Sequence, residues 1–555
     1  MKKIFFVMLT AGMGALSLSS CIEEIDPQTN VVTQEQLAKA PGVVDNFVNS
    51  LTDGLAGEFL YNSDPSNMWD FGYPTFFITR DVEGQDIIPV NYGAYSTWYQ
   101  NFTYLAPGWA VTQLPMTVYY GWIKDINTTL QMLGAEGYKQ PEEGKETGAG
   151  IAYAMRAMHY LDLVRMYANE PYYQNPNAPT TVKITETTTI DECRNNPRMT
   201  WEQAFEFILN DLDAAEKLLA NYTREDVYTP DLSVVYGLKA RTYLEKRDWE
   251  NAEKYAKLAL AGYTVMSEAE YLDKDNGFNS PNGSWMFATQ YKDTDPNILE
   301  NDGDSSWGSM MIMENGFKCG MGASYGYPMV IDRHLYETIP ATDFRKKCFV
   351  DFAIDEMDDE DDILAALGAY SDHPDQLLAA ADAAEYGPGG FNLKFRPKAG
   401  MYDTKYTAWV VSVPLMRVEE MKLIEAEAAG MQDLNRGIQL LTAFAQTRDA
   451  AYTYGQHNEA YGNNATPAFQ NEIWWQRRVE LWGEGFATFD IKRLGKGIIR
   501  SYANSNHVDG CRFNTTETPG WMNWCFVGTE ADNNKALVNN PDPTRPDGNS
   551  PEYEW

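Results

Sequence analysis

The chain has 555 residues, enough to bury a substantial core in one or two domains. It carries 79 Asp and Glu against 44 Lys and Arg, a formal charge of −35. Nucleic acid and anionic membrane are bound through clusters of Lys and Arg, so this balance argues against both as partners.

At the start, Lys2 and Lys3 precede an apolar stretch from Ile4 to Leu18. A spanning helix needs about 20 apolar residues, so this shorter stretch reads as a removable export signal. The run Leu18-Ser19-Ser20-Cys21 resembles the lipobox of bacterial lipoproteins. That resemblance implies a signal peptide over 1–20, acylation of Cys21, and a lipidated tether over 21–32. Glu23, Glu24 and Asp26 resemble the surface-export tag of Bacteroidetes lipoproteins. Five cysteines follow (Cys193, Cys319, Cys348, Cys511 and Cys525) without the CxxC spacing of a zinc or thioredoxin site. Cys511 and Cys525 are the nearest pair for a disulfide, and the odd count leaves a thiol over.

The capping-box pattern Thr33 to Gln36 opens the ordered part, and Thr200 to Gln203 repeats it. After the second, Trp201, Phe205, Ile208, Leu212, Ala215 and Leu219 recur at steps of four and three, which predicts an amphipathic helix. From Ile151 to Tyr167 apolar residues cover two sides, so that helix is expected to lie between neighbours, as in stacked repeats. Tyr236, Ala240, Tyr243, Ala252, Ala256 and Ala259 match the spacing of one tetratricopeptide repeat, with its turn at Lys246–Trp249. Helical patterning resumes over Pro414–Gly430 and Ile473–Phe486. Segments 60–112 and 270–410 are instead rich in Gly, Pro, Asn, Asp and aromatics, with short helical pieces such as Asp362–Leu367. Loops of such length in a compact protein are usually functional.

Several patterns mimic catalytic or metal sites. Glu480 and Glu484, one turn apart, have the look of paired glycosidase carboxylates, but they share a helix strip with Arg477 and are expected to stabilise that helix. Glu425 and Glu427 read the same way, with Arg417 and Lys422 as counter-charges. Gly322 to Gly326 fits G-x-S-x-G without the strand and helix that a nucleophile elbow requires. His159 is expected to be a buried, hydrogen-bonded histidine. The segment Asp273 to Gly277 departs from the EF-hand pattern at the glycine and at Ser284. No cofactor and no metal site are expected.

Four segments carry a resemblance to a family. The helix from Gly150 to Tyr167, with Arg156, Tyr160, Asp162, Leu163, Val164 and Arg165, runs on to Glu170-Pro171. Leu238 to Leu244, Pro414 to Ala428, and Arg477 to Arg493 follow in order. Together they resemble the SusD/RagB outer-membrane lipoproteins, the SusD-like proteins of starch-utilisation systems in Bacteroidetes. The resemblance implies an all-α, tetratricopeptide-like fold over 33–555, with repeats mainly in 33–269 and 411–500. A loop-rich insertion over 270–410 would form the ligand face, and 501–555 a C-terminal loop segment. It implies a glycan-binding lipoprotein without catalysis, on the cell surface, delivering its ligand to a SusC-like TonB-dependent porin. The alternatives are a peptide-capture subunit and a lipoprotein glycoside hydrolase. Sugar rings present apolar faces edged by hydroxyls, which suits aromatic plates beside short polar side chains. The candidate ligand residues are Trp69, Tyr73, Arg80, Asp81, Trp98, Tyr99, Asn101 and Trp109 in the first loop region. In the second they are Trp285, Asn301, Asp302, Trp307, Tyr325 and Tyr327.

Cys21→Ala is expected to abolish acylation and to release the protein from the outer-membrane fraction. Unchanged fractionation, with no acyl mass lost, would sink the anchor assignment.

Overall fold

The structure, a computed structural model, describes residues 42–555 apart from 57, 58, 60, 62, 63, 65, 66, 68, 92–99 and 101–104. Cys21, the Thr33 capping box, Trp98, Tyr99 and Asn101 lie outside the described residues. No described helix is long and apolar enough to cross a membrane.

The fold is all-α and tetratricopeptide-like. Helices of eight or more residues are α1 (Val43–Asp53), α2 (Thr75–Val82), α3 (Ala110–Met132), α4 (Glu146–Tyr167), α5 (Trp201–Leu218), α6 (Leu232–Lys246) and α7 (Trp249–Ala259). They continue with α8 (Glu360–Leu367), α9 (Pro374–Ala384), α10 (Val418–Gln432), α11 (Leu434–Ala445), α12 (Ala468–Glu480) and α13 (Ala487–Leu494). Successive helices from α3 to α7 pack side by side, α7 packs on α10, and α10 packs on α11 and α12. As the two-sided apolar pattern requires, α4 is buried from Ala149 to Tyr167. Thr200 and Gln203 close a reciprocal capping box at the start of α5. At the repeat turn Arg247 takes the left-handed conformation (φ 57°) and Asp248 caps α7 by accepting from the Asn251 N–H. Where α10 meets α11, a Cβ on Gly437 would stand 2.2 Å from the Gly430 Cα, so only paired glycines permit that contact.

Three antiparallel strand pairs tie distant segments together: β1 (Ile87–Pro89) with β5 (Met329–Ile331), β2 (Pro179–Val182) with β3 (Arg198–Thr200), and β4 (Trp285–Gln290) with β6 (Ser412–Arg417). The last pair corrects one expectation. Pro414–Arg417 is the end of a strand, because β4 offers it a ladder partner, and helix begins at Val418. Two further helices stand where loop was expected. The whole of α2 is buried, and α9 packs Leu377, Ala380, Ala381 and Ala384 inward.

Two buried ionic clusters hold these parts together. Glu480, at the end of α12, accepts from Arg345 (3.2 Å), Arg417 (3.2 Å) and Arg448 (3.0 Å). Glu484 accepts from Arg417 (2.8 Å) and Lys394 (2.6 Å). Glu419 adds contacts to Arg417 (2.8 Å) and Arg448 (3.1 Å). Burial by itself raises the Glu480 carboxyl; the guanidiniums of Arg448, Arg417 and Arg345 overturn this and hold it below the ordinary carboxylate range. The expected helix-strip pairing is therefore replaced. Arg477 reaches Asp490 instead (2.6 Å), and Glu427 pairs with Arg493 (2.6 Å), while Glu425 keeps Lys422 at 3.7 Å.

The second cluster centres on Asp162 of α4. It accepts from Tyr73 (2.5 Å), Tyr119 (2.9 Å), Arg80 (3.1 Å) and Arg165 (2.7 Å). Burial raises this carboxyl, but the two arginines and two hydroxyls more than offset it and bring it down to about 2. His159 nearby is fully buried and stacked on Trp122 at 4.9 Å, but neither ring nitrogen has a hydrogen-bond partner among the described residues. The expected hydrogen bond is thus absent there, and burial lowers the ring to about 4. Among the described residues no disulfide joins Cys511 to Cys525.

Glu480→Gln is expected to destabilise the fold by about 3–5 kcal/mol, since it leaves buried guanidiniums without their counter-charge. A urea midpoint equal to that of the wild type would refute this. The Asp162 carboxyl sits below its ordinary value of 3.8, so its ionised form contributes stability above that pH, which is lost as the pH falls through about 2. Asp162→Asn should therefore remove about 2 kcal/mol of the stability change across that acid window. Parallel acid limbs in denaturation at pH 2–5 would contradict the assignment.

Candidate functional site

The loops between β4 and β6 are laid on one buried indole. Trp409 is fully buried, and Gly303, Gly308 and Gly320 all lie against it. A Cβ added at those glycines would stand 2.9, 2.4 and 2.8 Å from the ring atoms, so any side chain there would lift the loop from the indole. Phe317 meets the same ring edge-on at 5.1 Å. Backbone bonds lock the layer: Gly322 N–H donates to the Ser309 carbonyl (2.8 Å), and Gly316 N–H to that of Tyr402 (2.7 Å).

On this base Asn301, Asp302, Tyr325 and Tyr406 are exposed, with Lys405 half-buried among them and Asp304 buried beneath. Tyr325 is 44 % exposed and Tyr406 49 %. The Asp304 carboxylate accepts from the Gly320 N–H at 3.0 Å. The Tyr325 hydroxyl also bonds to Asp304; burial first, and then that carboxylate, pushes it up to about 12. Lys405 pairs with the exposed carboxylate of Asp302 and lies 5.2 Å from the Tyr406 ring centre. Asn301 and Asp302 hold left-handed backbone (φ 46° and 58°), and both are exposed. Two exposed phenol rings flanked by carboxylates, an amide and an ammonium can stack a ring and bond its hydroxyls.

Of the expected ligand residues, the structure brings Asn301, Asp302 and Tyr325 together here. Five others are corrections, because they are buried inside the protein. Tyr73 and Arg80 belong to the Asp162 cluster. Asp81 caps α13 by accepting from the N–H groups of Gly485 (2.9 Å) and Ala487 (3.0 Å). Trp285 is fully buried in β4, opposite Arg417. Trp307 opens a short helix capped by Ser306, which turns its indole inward against Phe395 (5.1 Å) and Phe77 (6.2 Å). Trp69 and Tyr327 are half-buried against the core. Trp109 is exposed at the start of α3, where the adjacent Pro107 carbonyl accepts from Gly528 N–H (2.8 Å). Asp304, Lys405, Tyr406 and Trp409 were missed; the signal for them was a glycine-rich stretch followed by an unassigned Lys-Tyr-x-x-Trp run.

The catalytic look-alikes are occupied otherwise. Glu480 and Glu484 are sealed and ionised under four cations, so neither has the proton that a glycosidic general acid must donate. Ser324 of the G-x-S-x-G run donates to Asn315 at 3.1 Å in a loop.

Comparison with known proteins agrees with this architecture. A family model described as "Starch-binding associating with outer membrane" matches residues 89–244, and one described as the SusD family matches residues 380–542. No curated protein matches the chain. Among solved structures, a SusD-like carbohydrate-binding protein from Bacteroides vulgatus superposes with TM-score 0.68 at 22% identity, covering 90% of this chain and 97% of its own. A SusD superfamily protein from Bacteroides thetaiotaomicron gives 0.66 at 18% identity, with 90% and 99% covered. Surface glycan-binding protein A from Bacteroides thetaiotaomicron, in complex with laminarihexaose, gives 0.60 at 17%, with 90% and 98% covered. Those three likenesses establish a shared fold, and the two family models supply the kinship: the chain belongs to the SusD/RagB family.

Proposed function

We propose that the protein is a surface lipoprotein that binds an oligosaccharide on the Tyr325–Tyr406 face and passes it to a TonB-dependent outer-membrane transporter. The observation that carries this reading is two exposed tyrosine rings near Asn301, Asp302 and Lys405 on a packed floor, with buried Asp304 anchoring the Tyr325 hydroxyl. An aromatic plate held in advance stacks a sugar face at small entropic cost, and fixed carboxylates accept from its hydroxyls. The complex of a structural neighbour with laminarihexaose supports carbohydrate as the ligand class. Trp69 and Trp109 belong to the proposal as further candidates, as do Trp98, Tyr99 and Asn101, which lie outside the described residues. Catalysis has no part in it.

A stacked ring contributes on the order of 1 kcal/mol, by analogy with aromatic pairs. Tyr325→Ala and Tyr406→Ala should each weaken retention on the bound polysaccharide by several-fold, about tenfold at most, with the helical circular-dichroism signal intact. Trp307→Ala should behave differently, costing about 3–5 kcal/mol of stability because the indole is buried. If neither tyrosine variant changes binding, the face is misassigned. The delivery half is checked by co-purification of a TonB-dependent porin from detergent-solubilised outer membrane, and its absence would remove that half.

A further inference from the structure

A cavity of about 800 Å³ opens among the helix ends and shares no residue with the Tyr325–Tyr406 face. Its walls come from the segment after α4, the α6–α7 turn, the segment before α12, the end of α13, and residues 516–523. We propose that this pocket is a second ligand site, one that takes a short neutral saccharide.

Size is the first argument: pockets that enclose small ligands measure about 300–1,000 Å³. Charge is the second. The two cations in the lining already have partners. Lys492 is buried and its ammonium donates to the carbonyls of Met166 (3.2 Å), Ala168 (2.9 Å) and Met522 (3.2 Å). Arg247 donates to the Arg493 carbonyl (2.9 Å) and lies flat over the Tyr173 ring, 3.5 Å from its centre. The end of α13 points its carbonyls this way: Gly495 is its left-handed cap, and the Leu494 carbonyl accepts from Asn463 (2.9 Å). A helix C-terminus disfavours anions, and Glu170 and Glu517 at the wall add to that. A phosphate or carboxylate ligand therefore finds no unengaged cation among the described lining residues.

Preorganisation is the third argument. Tyr173 is fixed from one face by the guanidinium, and its hydroxyl accepts from Gln174 (2.8 Å). Tyr173 is 36 % exposed, and Thr516 and Gln174 line the same cavity. A Cβ at Gly495 would stand 2.5 Å from the Tyr173 hydroxyl, so glycine there lets the ring sit at the wall. One fixed aromatic plate among amides and hydroxyls, with uncommitted cations lacking, is the chemistry of an uncharged polyol site.

The test is saturation-transfer NMR on the full chain with glucose, galactose, mannose, xylose, maltose, cellobiose and lactose, and with inorganic phosphate as the anion. A Tyr325→Ala/Tyr406→Ala variant removes the loop face and isolates the pocket. At least one sugar should still show transfer in that variant, and the signal should fall at least fivefold on adding Tyr173→Ala. Thr516→Trp, at an exposed position, fills the pocket without touching the core and should do the same even where Tyr173→Ala disturbs the fold. The proposal is overturned if no sugar in the set binds the loop-face variant, if the signal survives both pocket variants, or if phosphate binds and is lost with Thr516→Trp. Retention on polysaccharide that depends on Tyr325 is scored separately, so either site can fail without the other.

Discussion

Everything in this fold hangs on moving charge indoors in balanced groups. Arg345, Lys394, Arg417 and Arg448 are all buried, and so are Asp343, Glu419, Glu480 and Glu484, which answer them. A lone buried charge carries an effective penalty of several kcal/mol, so each of these side chains is tolerable only when its partner arrives. The partners come from far apart: Arg345 and Lys394 from the segment between α7 and α10, Arg417 from β6, Arg448 after α11, and the glutamates from α10 and the end of α12. Closing the cluster therefore fastens the loop-rich segment to the helical stack. Arg493 with Glu427, and Arg477 with Asp490, extend the same fastening into α13.

Once the segment is fastened, the outer face depends on a much softer device, an indole with three glycines on it. Gly303, Gly308 and Gly320 allow two loops to lie within contact of Trp409, and Phe317 closes its edge. Because Trp409 and Lys405 are neighbours in sequence, the floor that organises Asn301 to Tyr325 also delivers Lys405 to Asp302 and Tyr406 to the surface. A face built this way is held from below by packing and leaves its aromatic side chains outside. That separation is what a binding surface needs, since a ring used as a plate cannot also be part of the core.

Two aromatics with similar local sequence end up on opposite sides of that divide. Trp307 and Tyr325 both stand in Gly- and Ser-rich sequence, but the first is 1% exposed and the second 44%. The difference is a single capped helical turn at Ser306, which rotates Trp307 toward Phe395, against a loop in which the Tyr325 side chain is tied at its hydroxyl to Asp304. Arg80 and Asp81 show the same thing for charge: adjacent in a stretch that reads as loop, they serve two different buried partners, Asp162 and the start of α13.

By itself the sequence determined the repeat helices. The period of α5, the two-sided cover of α4, the capping box at Thr200 and the spacing of α6 and α7 are local patterns, and local patterns survive without knowledge of the fold. It also carried the four ordered segments that mark the family. Tertiary structure alone decided which glutamates and arginines pair, because partners such as Arg345 and Glu480 are 135 positions apart and no spacing rule links them. It decided that Pro414–Arg417 is strand, since only β4 makes it so. And it decided which loop aromatics face solvent, because exposure depends on what lies on the far side of each ring: Phe77 and Phe395, distant in sequence, enclose Trp307, while Tyr325 stays 44 % exposed.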